Sequence, residues 1–379
     1  MLHIKNAQVY APENLGKKDL LIAAGSILAI EDTLETPAGF EAWDAQGLNL
    51  CPGFIDQHIH LIGAGGKRGF YSMTPEIKMT DLIATGTTTA VGLLGTDGST
   101  RNIKSLYAKV KSLEMEGLSA YMFSGYYGLD PMHILDNMQE EMIFIDKVLG
   151  CKIAIADVRS SYPTALDLVR ILRQIRVGGM IANKKGILHI HLGNLPDQMD
   201  LLFELVDQYH FPIQHISPTH VGRTESLFEQ AIEFALKGGI IDITTGASKY
   251  TEPHLSVLHA MEKGVSIDNM SFSSDGNAGL DNLSDKGELI GIRPASFTEN
   301  YNEMKALVQE GGLDLSEALR PITSSPARNL GLAHKGNIKV GADADFCLLD
   351  ESLKLHSVIA KGRMMMKEGE LLVKDTFES

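Results

Sequence analysis

The chain has 379 residues, 44% of them hydrophobic, and a formal net charge of −14. This length suits one large domain plus a smaller one, and the hydrophobic share is that of an ordinary globular protein. The acidic balance argues against a general nucleic-acid or anionic-membrane surface but leaves room for a local basic pocket. Cys51, Cys151 and Cys347 are widely spaced, form no CxxC pair, and read as reduced thiols. The start, "MLHIKNAQVYAP", lacks a charged segment followed by an apolar one, and no apolar run reaches the ~20 residues of a membrane helix. The expectation is a cytoplasmic protein with neither nucleic-acid nor membrane partners.

The first fifty residues read as short strands and turns: "HIKNAQVY", "DLLIAAGSILAI", "AWDAQGLNL". From about residue 53 to 330, β-rich runs alternate with amphipathic stretches, the signature of βα units. The runs are "GFIDQHIHL" (53–61), "TTTAVGLLGT" (87–96), "LSAYMFSGYY" (118–127), "CKIAIADV" (151–158), "GILHIHLG" (186–193), "FPIQHISPTH" (211–220), "GIIDITTG" (239–246) and "NMSFSSDG" (269–276). Helical segments such as "ESLFEQAIEFALKGG" lie between them, with apolar residues at helical spacing and a Gly-Gly stop. Eight such units predict a (β/α)₈ TIM-like barrel over 53–330. A doubly wound open sheet competes, but no G-x-G-x-x-G follows the first strand. The end of the chain, "DADFCLLD" and "KLHSVIAKGRMMMKEGELLV", reads like the beginning. Residues 1–52 and 331–379 are therefore expected to pair into a small β-sandwich domain.

A barrel places its active site at the C-terminal ends of its strands. His58 and His60 on the first run, Lys152 on the fourth, His191 on the fifth, His220 ending the sixth and Asp275 ending the eighth fall at such ends. His58 and His60 share strand parity and can reach one cation. Any one histidine is more readily a satisfied core residue; the coincidence of six polar groups is what favours a metal site. His189 has the same parity as His191, and spacing does not choose between them; His191 is preferred because it lies nearer the strand end. Lys152 is an unusual neighbour for a cation, and by itself reads as a lysine snorkelling at the barrel mouth. In a buried, electropositive setting its amine is neutral and able to react with carbon dioxide, giving a carbamate.

The segments "PGFIDQHIHLIGAGG", "GLLGTDG", "KIAIADVRSS", "HLGN", "SPTHVGR", "IDITTG", "SSDGN" and "KGNIKVGADADFCLLD" resemble the amidohydrolase superfamily, and within it the isoaspartyl dipeptidases. The resemblance implies two zinc ions, with His58, His60 and Asp275 on the more buried one and His191 and His220 on the more exposed one. It implies a carboxylated Lys152 bridging both, together with a shared hydroxide that attacks the amide of a β-aspartyl dipeptide. Asp275 would take the proton and pass it to the leaving amine, and Tyr127 would hydrogen-bond the oxyanion. Arg159 and Arg223 would hold substrate carboxylates through their guanidinium forks, with Gly65 and Thr96 as further substrate contacts. A homo-oligomer, up to an octamer, is also implied.

Two positions depart from the family pattern. Lys67 stands where a glutamate pairs with the dipeptide's α-ammonium, and Gly279 stands where a serine lies near its carboxylate. Either the substrate lacks that ammonium, as in an N-acyl or cyclic acidic amide, or Glu76 or another acid takes it, or Lys67 is merely solvated. A related amidohydrolase of different specificity, and a catalytically idle metal-binding relative, are the alternatives to a dipeptidase.

Overall fold

Eight segments rich in β-branched and apolar residues are buried along their length, Tyr121 alone being half-buried, as strands covered on both faces must be. In chain order they are Phe54–Ile59, Thr87–Gly92, Ser119–Gly125, Val148–Ile155, Ile187–Leu192, Ile216–Thr219, Ile241–Thr244 and Met270–Ser273. Each pairs in parallel with the next. A parallel bridge between Ile59 and Gly276 and a 3.0 Å bond from the His60 amide to the Gly276 carbonyl bring the last strand back to the first. The computed structural model describes every residue except Pro131, Ser248, Asp285 and Ser379. The predicted (β/α)₈ barrel is present, and seven of the eight sequence runs contain their whole strand. The fourth begins three residues earlier than the run "CKIAIADV", at Val148.

Helices on the outside stop and start where local chemistry dictates. Ala165–Ala182 opens with a capping box between Thr164 and Asp167 and ends at Asn183 in the left-handed conformation. Glu225–Leu236 is capped by the Thr224 side chain, and its Gly-Gly stop follows at Gly238, φ 96°. Among the described residues no helix is long and apolar enough to cross a membrane.

The chain's two ends build a second sheet of nine strands, eight in one hydrogen-bonded path and the ninth, Glu41–Asp44, paired beside Leu2–Tyr10. Its centre joins Asn49–Pro52 from the N-terminal part to Phe346–Leu349 from the C-terminal part. It has its own core, including Ile4, Leu20, Ile22, Leu50, Phe346 and Ile359. All three cysteines are free and buried.

Two features shape the barrel mouth in ways that periodicity does not foretell. A register irregularity between Asp56 and Ile59 lets the consecutive residues Gln57 and His58 both reach partners across the barrel. After the last strand, Gly279–Leu283 and Leu289–Pro294 form an antiparallel hairpin. Arg68 grips its Asp281 with two 3.0 Å bonds, tying the loop after the first strand to the hairpin.

The fourth and fifth strands leave the barrel in close contact. A Cβ built on Gly193 would sit 2.1 Å from the Ala156 carbonyl oxygen, so only glycine lets the two exits touch. Gly193→Ala is expected to destabilise the protein by about 1–3 kcal/mol, the usual cost of overpacking. A lowered urea midpoint with unchanged slope checks this.

Candidate metal centre and its approach

The polar ends of the strands converge at one rim. His58 lies in the first strand and His60 just beyond it; their Nε2 atoms are 3.4 and 3.1 Å from the same Asp275 Oδ1. Asp275 follows the eighth strand and His220 the sixth, both in left-handed backbone conformations (φ 51° and 65°). That conformation costs roughly 1–2 kcal/mol in a residue with a Cβ. His58, His220 and Asp275 each offer a ligand atom, all within 4.8 Å of one another. Lys152, 1% exposed, brings Nζ within 3.4 Å of His58 Nε2. The His191 ring stands 4.6 Å from that of His220, but both its nitrogens have protein partners: Tyr127 Oη lies 2.8 Å from Nδ1 and Asp157 Oδ2 lies 3.0 Å from Nε2. His220 Nδ1 is 2.6 Å from Thr244 Oγ1.

Burial sets the protonation of this rim. Burial, then the charge of Lys152, lowers His58 to about 3. His189, His191 and His220 are likewise held well below the usual imidazole range, first by burial. Burial pushes the Asp275 carboxyl up, but hydrogen bonds from His58 and His60 outweigh it and keep it ionised. Lys152 is lowered to about 7 by burial, with Arg223 and Arg159 adding repulsion. Burial raises the Tyr127 phenol, so it stays protonated. The rim thus offers neutral imidazoles, one carboxylate and an amine poised to lose its proton. That N/O donor set suits a zinc-type cation. The fit is carried by His58, His220 and Asp275, whose ligand atoms lie close enough together to share one cation.

The expected substrate contacts gather beside this rim. Gly65, Lys67, Thr96 and Arg159 line one cavity of about 430 Å³, together with Phe70 and Asp97. Arg159 does not present an open fork: Asp157 takes its Nε and Nη2 at 2.8 and 2.6 Å. Arg223 has a buried Nε with no hydrogen-bond partner among the described residues. Lys67 is exposed at the junction of this cavity with a second of about 520 Å³, lined also by Lys249, Asp281 and Arg293. Glu76 is exposed and lies 3.7 Å from Lys109, not in either cavity. Gly279 has a packing reason: a Cβ there would lie 2.9 Å from the Gly65 Cα, so the hairpin and the first loop touch where a serine side chain would have to stand.

Several residues at this site escape a search for ligand-type side chains. Asp157, held well below the usual carboxylate range against burial by Arg159 and His191, joins a candidate ligand to a candidate substrate arginine. Its only sequence signal is its parity with Arg159. Thr244 and Ser217 carry none.

The amidohydrolase family profile matches residues 49–365. A β-aspartyl dipeptidase from Fervidobacterium islandicum AW-1, solved in complex with β-Asp-Leu, is 41% identical, with TM-score 0.93 over 100% of this chain and 98% of that one. A dihydropyrimidinase from Brevibacillus agri NCHU1002, 17% identical with TM-score 0.68 over 98% and 96% of the two chains, shares the fold. A dihydroorotase of Elusimicrobium minutum is 24% identical over 92% of this chain and 87% of its own length.

The Lys152 amine also makes a stability statement. Its folded value of about 7 lies below its ordinary 10.5, so between these values the folded chain carries fewer protons than the unfolded one. Stability of the metal-free protein therefore rises with pH across that window. Lys152→Met should abolish this rise and be more stable than the parent below about pH 7; denaturant unfolding of both proteins, metal-free, at about pH 6 and about pH 9 checks it.

Proposed function

We propose that this chain, which belongs to the amidohydrolase family and is a hydrolase of C–N bonds, cleaves β-aspartyl dipeptides with a pair of zinc ions as cofactor. One observation carries the reading: His58, His220 and Asp275 converge beside a buried Lys152 in a chain 41% identical, end to end, to a dipeptidase solved with β-Asp-Leu.

His58, His60 and Asp275 would hold the more buried ion, His191 and His220 the more exposed one. A carbamate on Lys152, formed when the neutral amine adds to carbon dioxide and releases a proton, would bridge them. His191 would exchange its Tyr127 or Asp157 contact for the metal. When bound, the ions supply Lewis acidity, which lowers the pKa of water and polarises the scissile carbonyl. The protein's own groups do the rest. Asp275, ionised beside two imidazoles, receives the proton of the attacking water and returns it to the leaving amine. Tyr127, protonated at any working pH, donates to the developing oxyanion. Arg223, whose Nε has no hydrogen-bond partner among the described residues, takes a substrate carboxylate, and Arg159, oriented by Asp157, a second one.

A second reading has an observation of its own. Lys67 has no ion-pair partner among the described residues, and the acid weighed for the substrate's ammonium, Glu76, faces Lys109 instead. A substrate without that ammonium, an N-acyl or cyclic acidic amide, fits this charge arrangement.

Zinc-loaded protein is expected to hydrolyse β-aspartyl-leucine, to lose activity on chelation and to regain it with zinc; no recovery would sink the metal reading. Asp275→Asn should lower kcat by about 10²-fold or more with little change in KM, as loss of a proton-transfer group does. If N-acetyl-β-aspartyl-leucine is cleaved faster than the free dipeptide, the second reading displaces the first. Lys67→Glu should then favour the free dipeptide.

A further inference from the structure

His189 is buried, stacked at 4.8 Å and 9° on Phe123, and close enough to the rim to compete with His191 as a ligand. Its nitrogens say otherwise. Nε2 lies 2.9 Å from His58 Nδ1, on the far side of that ring from Asp275 and Lys152, and Nδ1 lies 3.1 Å from Ser217 Oγ. Both are committed.

The chain of contacts continues to the floor of the barrel. Asn329, on the helix Ser324–Leu330, donates from Nδ2 to Ser217 Oγ at 2.8 Å and to Gln57 Oε1 at 2.9 Å. Gln57 donates from Nε2 to Asp242 Oδ1 at 2.6 Å and lies 2.7 Å from Ser271 Oγ. Asp242 also accepts from Thr219, Ser271 and Ser273. A carboxylate only accepts, so Gln57 must turn its amide nitrogen to Asp242 and its oxygen to Asn329. Asn329 must then give its nitrogen to Ser217. The Ser217 hydroxyl is the first group in the series able to act either way, as donor to His189 or as acceptor from it.

We infer that in the cation-loaded site His189 is a positioning residue: it accepts the Nδ1 proton of His58, so that His58 Nε2, which faces Asp275 here, is free for a cation, and it passes its own Nδ1–H to Ser217. A metal-binding imidazole needs an acceptor behind it, commonly a carboxylate or carbonyl. Here a second imidazole, anchored through Ser217 and Asn329, fills that place. The reverse polarity, with Ser217 donating to His189 and His189 donating to His58, puts the proton on His58 Nε2 and closes that nitrogen to metal. The structure thus contains one chain with two directions, only one of them compatible with a loaded site.

The inference rests on the reading of His58 as a zinc ligand, and the test separates the two. Zinc affinity is measured by chelator competition for the parent, His189→Leu and His189→Gln, and the protonated ring nitrogens of ¹⁵N-histidine-labelled parent are assigned by NMR with zinc bound. The expected result is a loss of about 10–100-fold in zinc affinity for His189→Leu, the range for loss of a metal ligand's hydrogen-bond partner. His189→Gln, whose amide oxygen still accepts, should recover most of it. In the parent, the His58 proton should be on Nδ1. Unchanged affinity in His189→Leu, or a His58 proton on Nε2 in the zinc-bound parent, overturns the inference while leaving the metal reading intact. A parent that binds no zinc overturns the metal reading, and this inference with it. Should His189→Leu fail to fold, the tautomer measured in the parent decides.

Discussion

The burial of the Asp275 carboxylate depends on imidazole nitrogens arriving from a strand on the other side of the barrel seam. An unpaired carboxylate in that position would neutralise itself, because a buried charge without partners is too costly to keep. His58 and His60 converge on one of its oxygens and hold it ionised. That contact requires the barrel to close, with the first strand beside the end of the eighth, and it requires Asp275 to accept a left-handed backbone. The same pairing that makes the carboxylate affordable makes it a proton acceptor beside neutral nitrogens, the combination on which the proposed chemistry relies.

Beneath this rim a polar network runs through the barrel, beside a buried apolar cluster that includes Ile55, Val91, Phe123 and Ile187. Asp242 is buried, which raises its carboxyl, yet four donors from three other strands surround it. Asp56, raised to about 7 by burial, receives the backbone amides of His58 and Ser274 and so stitches the first strand to the turn that carries Asp275. Such networks are stable only when every member is satisfied, and they then leave little freedom in side-chain orientation. The rim inherits that rigidity: His58 is held from behind by His189, His191 by Asp157, His220 by Thr244. Preorganised donors and acceptors cost no rearrangement at the moment of reaction.

The approach to the rim is built differently. Its glycine-bearing loop and hairpin touch at Gly65 and Gly279 and are tied through an exposed ion pair, Arg68 with Asp281. Exposed pairs of this kind contribute at most about 1 kcal/mol. The mouth is therefore held by close backbone contact more than by charge. Its cavities are lined by Lys67, Arg159, Lys249 and Arg293 as well as by Asp97, Asp281 and Glu299.

The sequence by itself determined the eight strand–helix units, the terminal strands and the placing of polar residues at strand ends, because these follow from local periodicity and from where turns interrupt it. It also marked His58, His60, Lys152, His191, His220 and Asp275, whose side chains are unusual at the ends of apolar runs. It did not reveal the hairpin after the last strand, whose residues are mostly exposed and carry no buried face to set a pattern. Nor could it choose the part played by His189, because parity gives a side chain's face and not its partner. His58 and His189 are 131 residues apart, and His60 and Asp275 are 215 apart. Only closure of the barrel decided which nitrogen meets which oxygen, and that Arg159 is already held by Asp157, since hydrogen bonds depend on distances of a few tenths of an ångström that no spacing along the chain encodes.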